Sequence, residues 1–466
     1  MNRDQRLVVT IAVLASFVSF LDGTVVNVAL PAIAKELGGG ITTQQWVVDA
    51  YLITLGALIL VAGSVSDVYG RVLVMRIGLI AFGVASIAIA AAPSPEFLIV
   101  ARGVQGIAGA LLVPSSLALI TSNFRGAAQA RAIGVWTAFT SGATIIGPLL
   151  GGMFVDLLSW RWAFLINVLP IAVTLWLLVV LGHKDVRQPG VSIDYLGAVL
   201  CTLGLGGPVY ALIEAPNLGW GHPAISLSLV LGLLAFAGFL VRQRFARHPI
   251  MPLSLFAIRN FWAGNVATAF IYGALSLVFF ALGVYLQRDD GPNLPATLAG
   301  VATLPITILM VLFSSRVGAL SGRFGPRLFM TVGPILMGVG SLLFLTVGES
   351  FDYWWQVLPG VLVFGVGLTL TVSPLTSAIL GAIDMSQSGI ASAVNNAVSR
   401  VAGLIVIAMI AFIVAGDSIT LEGFHRAAIV AGALLFAGGL VSLAGIRNPV
   451  QEGGDAEAAP AGAATS

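Results

Sequence analysis

Fourteen runs of mainly apolar residues, separated by short clusters of charge, proline and glycine, lie along the chain. They fall near 8–33, 44–63, 72–92, 97–121, 132–155, 160–182, 193–214, 223–241, 261–286, 297–319, 328–347, 353–382, 389–414 and 427–446. Each approaches the roughly 20 residues that a helix needs to cross the hydrocarbon of a bilayer. The pattern predicts an all-α, polytopic membrane protein. The first run follows Met1-Asn2-Arg3-Asp4-Gln5-Arg6 and continues past Asp22 to about Ala34. It meets no small-residue cleavage site, so it reads as a retained helix rather than a secretory leader. The pair over 193–241 is the weakest, because Pro208 and the polar stretch from Glu214 to His222 interrupt it.

Charge supplies orientation. With the N-terminus in the cytoplasm, four of the 22 basic residues fall on the outer side: Lys35, Arg161, Arg288 and Arg426. Arg102 and Arg400 fall within spans, and all the others are cytoplasmic. A split this uneven follows the positive-inside rule and requires an even number of crossings. The reading is fourteen spans with both termini cytoplasmic, in the cell membrane. Trp46, Trp160, Trp162, Trp220, Trp354 and Trp355 then lie at the outer interface, where indole rings prefer to sit.

Composition agrees. The chain is 58% hydrophobic and 9% charged, against roughly 25% charged in a soluble domain. A net charge of +2 offers no field for a nucleic-acid partner. Cys201 is the single cysteine, so no disulfide forms within the chain. A phosphate-binding loop needs Gly-Lys-Ser/Thr. Lys35 precedes Glu36 and Lys184 precedes Asp185, so no nucleotide is expected. His183, His222, His248 and His425 show no metal-ligand spacing, and no metal or other cofactor is expected.

One spacing recurs. Gly63-Ser-Val-Ser-Asp67-Val-Tyr-Gly70-Arg71 is echoed by Gly318-Ala-Leu-Ser-Gly322-Arg323-Phe-Gly325-Pro-Arg327, each after the second span of its own half. The organisation expected is a six-helix bundle over 8–182, two accessory helices and a linker over 183–260, a second six-helix bundle over 261–446, and a disordered tail over 447–466. Duplicated halves mark secondary transporters, which rock one half against the other around a midplane site.

The residues also single out a chemistry. Asp22 is an acid near the middle of a span, in Leu21-Asp22-Gly-Thr24-Val-Val-Asn27-Val-Ala-Leu30-Pro31. A bare carboxylate there is costly, so its affinity for a proton should rise. The competing reading has Asp22 and Asn27 bonding a helix irregularity at Gly23. Arg102, in Arg102-Gly-Val-Gln105-Gly106, should face a cavity or an acid, unless it snorkels to the outer interface. In Gly142-Ala-Thr-Ile-Ile-Gly147-Pro148-Leu-Leu-Gly151-Gly152, the proline removes a helix hydrogen bond and the glycines admit a close neighbour.

Taken together these segments resemble the major facilitator superfamily over about 440 residues. More narrowly they are similar to its fourteen-span drug/proton antiporter branch of Qac/Emr-type multidrug efflux transporters. The resemblance implies proton coupling at Asp22 and Arg102. It implies a cytoplasmic gate at Gly63, Asp67, Gly70 and Arg71, in which the acid meets the N-terminal end of a helix in the other half. Gly142, Gly147, Pro148, Gly151 and Gly152 match the signature found mainly in exporters. Segments at Ser159–Val168, Asp194–Gly197, His248–Leu253 and Ser388–Asn396 match the branch and read as structural.

Departures matter too. Val68 and Val72 replace basic residues usual in the gate motif. The spans at 297–319 and 389–414 lack the extra acids of some multidrug members, and the latter carries Arg400. Asp49, in Trp46-Val-Val-Asp49-Ala-Tyr51, stands where the branch usually has an uncharged residue. It reads either as a proton relay at the outer mouth or as a plain interface residue.

The expectation is a non-enzymatic, monomeric secondary transporter in the lipid bilayer, exchanging protons for amphipathic small molecules. The alternatives are a metabolite exporter or importer of the same fold without proton coupling, and a transport-inactive sensor or scaffold.

Overall fold

The computed structural model describes residues 3–182, 193–246, 249–384 and 387–448. All regular structure among them is helical. The chain runs through α1 (Arg3–Leu37), α2 (Gly40–Tyr69), α3 (Arg71–Ala90), α4 (Pro95–Asn123), α5 (Gly126–Leu157) and α6 (Trp162–Leu181). It continues through α7 (Tyr195–Leu218), α8 (Pro223–Phe245), α9 (Arg259–Tyr285) and α10 (Ala296–Phe324). It ends with α11 (Pro326–Thr346), α12 (Tyr353–Leu380), α13 (Ser388–Ala408) and α14 (Leu421–Gly445).

Thirteen of these are long and apolar enough to cross a membrane. The remaining one, α5, has 32 residues and carries a shorter apolar stretch, Ile146–Leu157. At 1.5 Å per residue it is about 48 Å long, more than the ~30 Å of hydrocarbon.

The helices run further than hydropathy alone suggests. Gly63–Arg71 is not a loop: α2 continues to Tyr69, and Gly70 alone turns the chain into α3. Gly70 has φ 106, which favours glycine because it carries no Cβ. Gly325, with φ 83, makes the same turn between α10 and α11, so the recurring motif is one structural device used twice. Pro208 does not end α7, which continues through Pro216 to Leu218. Helix starts follow ordinary capping rules. Ser94 accepts from the Phe97 N–H, Asp194 from that of Gly197, and Thr420 from that of Gly423.

Within the first six helices, α1 packs on α4, α5 and α6, and α4 packs on α2 and α3. Among the last six, α9 packs on α13 and α14, α11 on α12 and α14, and α10 on α12. The hairpin α7–α8 leans on α2 and α13. Early and late helices meet where α2 packs on α13, α5 on α10, and α1 on α9 and α10. Around this interior, Ile77, Ile80, Val84 and Ile87 on α3 and Leu227, Leu231 and Leu234 on α8 point outward and exposed. Apolar faces this extensive are stable only with lipid as solvent.

The expected tail begins with two ordered residues. Arg447 exchanges bonds with Asn260, and Asn448 accepts from the Arg327 N–H. Residues 449–466 lie outside the described set, as do His183, Lys184, Arg187, Arg247 and His248.

Candidate functional site

Asp22 and Arg102 meet in the interior of the early helices. Asp22 comes from α1 and Arg102 from α4. Each side chain is 1% exposed, and Arg102 Nη1 lies 2.6 Å from Asp22 Oδ2. The expectation of a bare carboxylate is therefore corrected. Gln105 Nε2 donates to Asp22 Oδ1 at 2.9 Å, and Asn167 Nδ2 donates to the same oxygen at 3.0 Å. Arg102 also donates to Gln105 Oε1 at 2.5 Å and through Nε to the Val47 carbonyl at 2.9 Å. Its guanidinium sits 4.4 Å from the centroid of the Tyr51 ring and 5.6 Å from that of Phe164. Ser86, on α3, accepts from Gln105 at 2.9 Å, and Ser19 shares a 3.1 Å bond with the Tyr51 hydroxyl.

This geometry meets the condition under which a buried ion pair survives. Desolvation costs several kcal/mol per ion, offset only when added hydrogen bonds satisfy the remaining groups. The local reasons are readable. Arg102 and Gln105 are three residues apart and share one helix face. Asn167 sits at a break in α6, between Leu165 and Val168. Pro170 has no N–H to bond the Ile166 carbonyl, consistent with the break at this point.

Asp49 is also fully buried, on α2, and neither carboxylate oxygen has a partner among the described residues. It is not at an exposed mouth. It shares a face of α2 with Gln45, which donates to the Ile407 and Ala408 carbonyls of α13 at 3.0 Å each. One side of that face is thus the seam between early and late helices.

Asp67 lies at the Arg71 end of the bundle, far from Asp22 along the chain. Its carboxylate pairs with Arg71 Nη2 at 3.1 Å, and Arg71 Nη1 donates to the Ala118 carbonyl. Among the described residues the ion-pair partner of Asp67 is thus within the motif and not on a late helix. Nothing among the described residues lies within 4 Å of where a Cβ on Gly63 or Gly142 would stand.

Gly147, Gly151 and Gly152 of α5 do meet close neighbours. A Cβ at Gly147 would lie 3.0 Å from Thr24 Cβ, and one at Gly151 would lie 3.1 Å from the Val25 carbonyl, both on α1. A Cβ at Gly152 would lie 2.5 Å from Thr297 Cα on α10. Gly300 of α10 reciprocates against the Pro148 carbonyl. Asp156 completes this junction: its carboxylate accepts from the Ala296 and Thr297 N–H groups at 2.9 and 2.8 Å. At the same end Lys35 pairs with Asp289 at 3.1 Å. A cavity of about 460 Å³ lies among these residues. On its rim the Arg288 hydrogen bond and charge hold the Asp290 carboxyl below its usual value. At the Lys35 end these contacts bridge early and late helices.

The described residues hold no group of three or more His, Cys, Asp or Glu able to bind a metal. Sequence reasoning found Asp22 and Arg102. It left Asn167 as structural and did not draw Gln105, Ser86 or Tyr51 into the site. Their signal was uncharged polarity inside apolar spans, which alone does not name a partner.

Residues 12–407 match the Major Facilitator Superfamily. The methylenomycin A resistance protein of Bacillus subtilis is 32% identical over 413 residues, 87% of each chain. The puromycin resistance protein pur8 of Streptomyces alboniger is 34% identical, covering 87% of this chain and 80% of that one. The tetracenomycin C resistance and export protein of Streptomyces glaucescens is 32% identical, covering 82% and 71%. Among solved structures, a peptide transporter POT in complex with sulfate superposes with a TM-score of 0.69 over 94% of both chains. At 15% identity that likeness shows the fold alone. A superfamily match across most of the chain, with relatives above 30% identity over most of both partners, makes this protein a transporter of the Major Facilitator Superfamily.

Proposed function

We propose that the protein exports amphipathic small molecules in exchange for protons, with the Arg71 end in the cytoplasm and both termini on that side. The observation that carries this reading is the Asp22–Arg102 pair, buried at 1% exposure inside a membrane bundle. Charge placed there is expensive and is retained in transporters where it serves ion movement. Protonation of Asp22 would release Arg102 from its partner. That change alters the bonds tying α1 to α4 and α6 within the early bundle, whose α1 and α2 also contact the late helices.

The similarity to resistance proteins for methylenomycin A, puromycin and tetracenomycin C supports export rather than import. So does the α5 glycine motif. Asp49 serves as a second proton site on the α2–α13 seam, and Asp67 with Arg71 serves the cytoplasmic gate. The chain acts as a monomer in the cell membrane, with two six-helix bundles over 8–182 and 261–446.

Expression in a bacterium stripped of its own efflux pumps tests the reading. Cells carrying the protein should accumulate less of at least one of puromycin, methylenomycin A and tetracenomycin C, and a protonophore should abolish the difference. Lower accumulation that persists after the proton gradient is collapsed would overturn proton coupling.

A further inference from the structure

Arg400 is a second arginine in the membrane interior, and unlike Arg102 it has no carboxylate within ion-pair distance among the described residues. It lies on α13, its Cβ 3.7 Å from where a Cβ on Gly56 of α2 would stand. Its guanidinium carbon lies 5.9 Å from the centroid of the Phe20 ring of α1. It is also within electrostatic reach of the Tyr51 and Tyr272 hydroxyls, on α2 and α9. These neighbours come from early and late helices alike. The partly exposed portion of Arg400 therefore opens between the two sets, not toward lipid.

The other interior acids are engaged or distant. Asp22 is enclosed by Arg102, Gln105 and Asn167. Asp49 stands seven residues before Gly56, about 10 Å along α2, and its oxygens have no partner among the described residues. Arg400 also ends a polar stripe on α13. Ser392, Asn396 and Ser399 recur at helical spacing and are each partly exposed. Each of these side chains can donate a hydrogen bond to a visiting acceptor.

An uncompensated cation in a low-dielectric setting is costly unless an anion visits it. We infer that Arg400 is a substrate-binding residue and that the exported molecules are amphipathic anions, the acid group on Arg400 and the apolar body against Phe20 and Tyr272. This deepens the efflux reading and rests on it. It runs opposite to the cationic cargo that acids in the spans would select. An arginine suits the task because its planar fork matches a carboxylate or sulfonate.

A matched pair of fluorescent probes tests it: pyrene-1-sulfonate and pyrenylmethyl-trimethylammonium, which share a ring system and differ in the sign of a permanent charge. Purified protein in liposomes is given an imposed pH gradient, and uptake of each probe is followed. Wild type should move the sulfonate. Arg400→Gln should lower that flux about tenfold or more, the loss of one hydrogen bond to a charged group. Arg400→Lys should restore a substantial part of it, which a packing role for Arg400 would not predict. Driven flux of the ammonium probe alone would overturn the anionic assignment and leave the efflux reading standing. Flux of the sulfonate unchanged in Arg400→Gln would overturn the role of Arg400. No gradient-driven flux of either probe would overturn both readings together.

Discussion

At Asp22 and Arg102 the cost of removing one partner differs from the cost of removing both. Arg102→Gln leaves a carboxylate buried without its cation, which costs about 3–5 kcal/mol. Asp22→Asn leaves the cation with Gln105 Oε1, the Val47 carbonyl and the Tyr51 face. The double substitution Asp22→Asn with Arg102→Gln leaves two amides among amide and hydroxyl neighbours. It should recover most of the thermal stability lost in Arg102→Gln while remaining inactive in pH-driven transport. A thermal scan in detergent reads the first part and liposome flux the second. A double variant no more stable than Arg102→Gln would mean the site is not held together by charge. Asp22 was legible in the sequence because an acid in an apolar span is conspicuous. Asn167 was not, since its partner Asp22 is 145 residues away in the chain, and Asp49 was misjudged as peripheral because hydropathy does not report which helix face is covered.

Glycine pairs decide how closely α5 and α10 approach. Gly152 and Gly300 interlock at the Lys35 end, and Asp156 caps the start of α10 from across the seam. A valine at Gly152 would push into the α10 backbone, and overpacking of this kind costs about 1–3 kcal/mol. An α5–α10 contact at this end must part when the two halves rock, so the cost falls on one state and shifts the balance between states. A cysteine introduced at Ala32, on the cavity wall, reads the shift, and the native Cys201 is buried and adds little background. Gly152→Val should raise the labelling rate of Ala32→Cys by a water-soluble maleimide about tenfold, the ratio expected for ~1.4 kcal/mol. An unchanged rate would show that α5 and α10 do not control that end. The presence of a close partner for α5 was legible from Gly147, Gly151 and Gly152. Its division between α1 and α10 was not, because two faces of one helix carry the same small residues.

Across the whole molecule, the pattern of apolar runs anticipated each of α1 to α14, since lipid as solvent leaves few ways to hide backbone polarity. Its errors were at the ends, where Gly63–Tyr69 proved helical. Orientation follows from the proposed topology. Cysteines at Asn217, Gly291 and Asp417 should react with an impermeant reagent added outside cells, and one at Gly322 should not. The same side for Gly322 and Gly291 would break the assignment. One proton moving down 100 mV supplies about 2.3 kcal/mol. Exchange of a proton for an anion moves two charges and should respond to voltage about twice as strongly. The most direct test of the central claim is proton movement driven by substrate alone. Purified protein is placed in liposomes containing a pH-sensitive dye, and a gradient of the best-exported compound is imposed with no initial pH difference. Wild type should move protons against the direction of the substrate, and Asp22→Asn should exchange substrate without moving protons. Substrate flux in wild type with no accompanying proton movement, or proton movement undiminished in Asp22→Asn, would contradict the account.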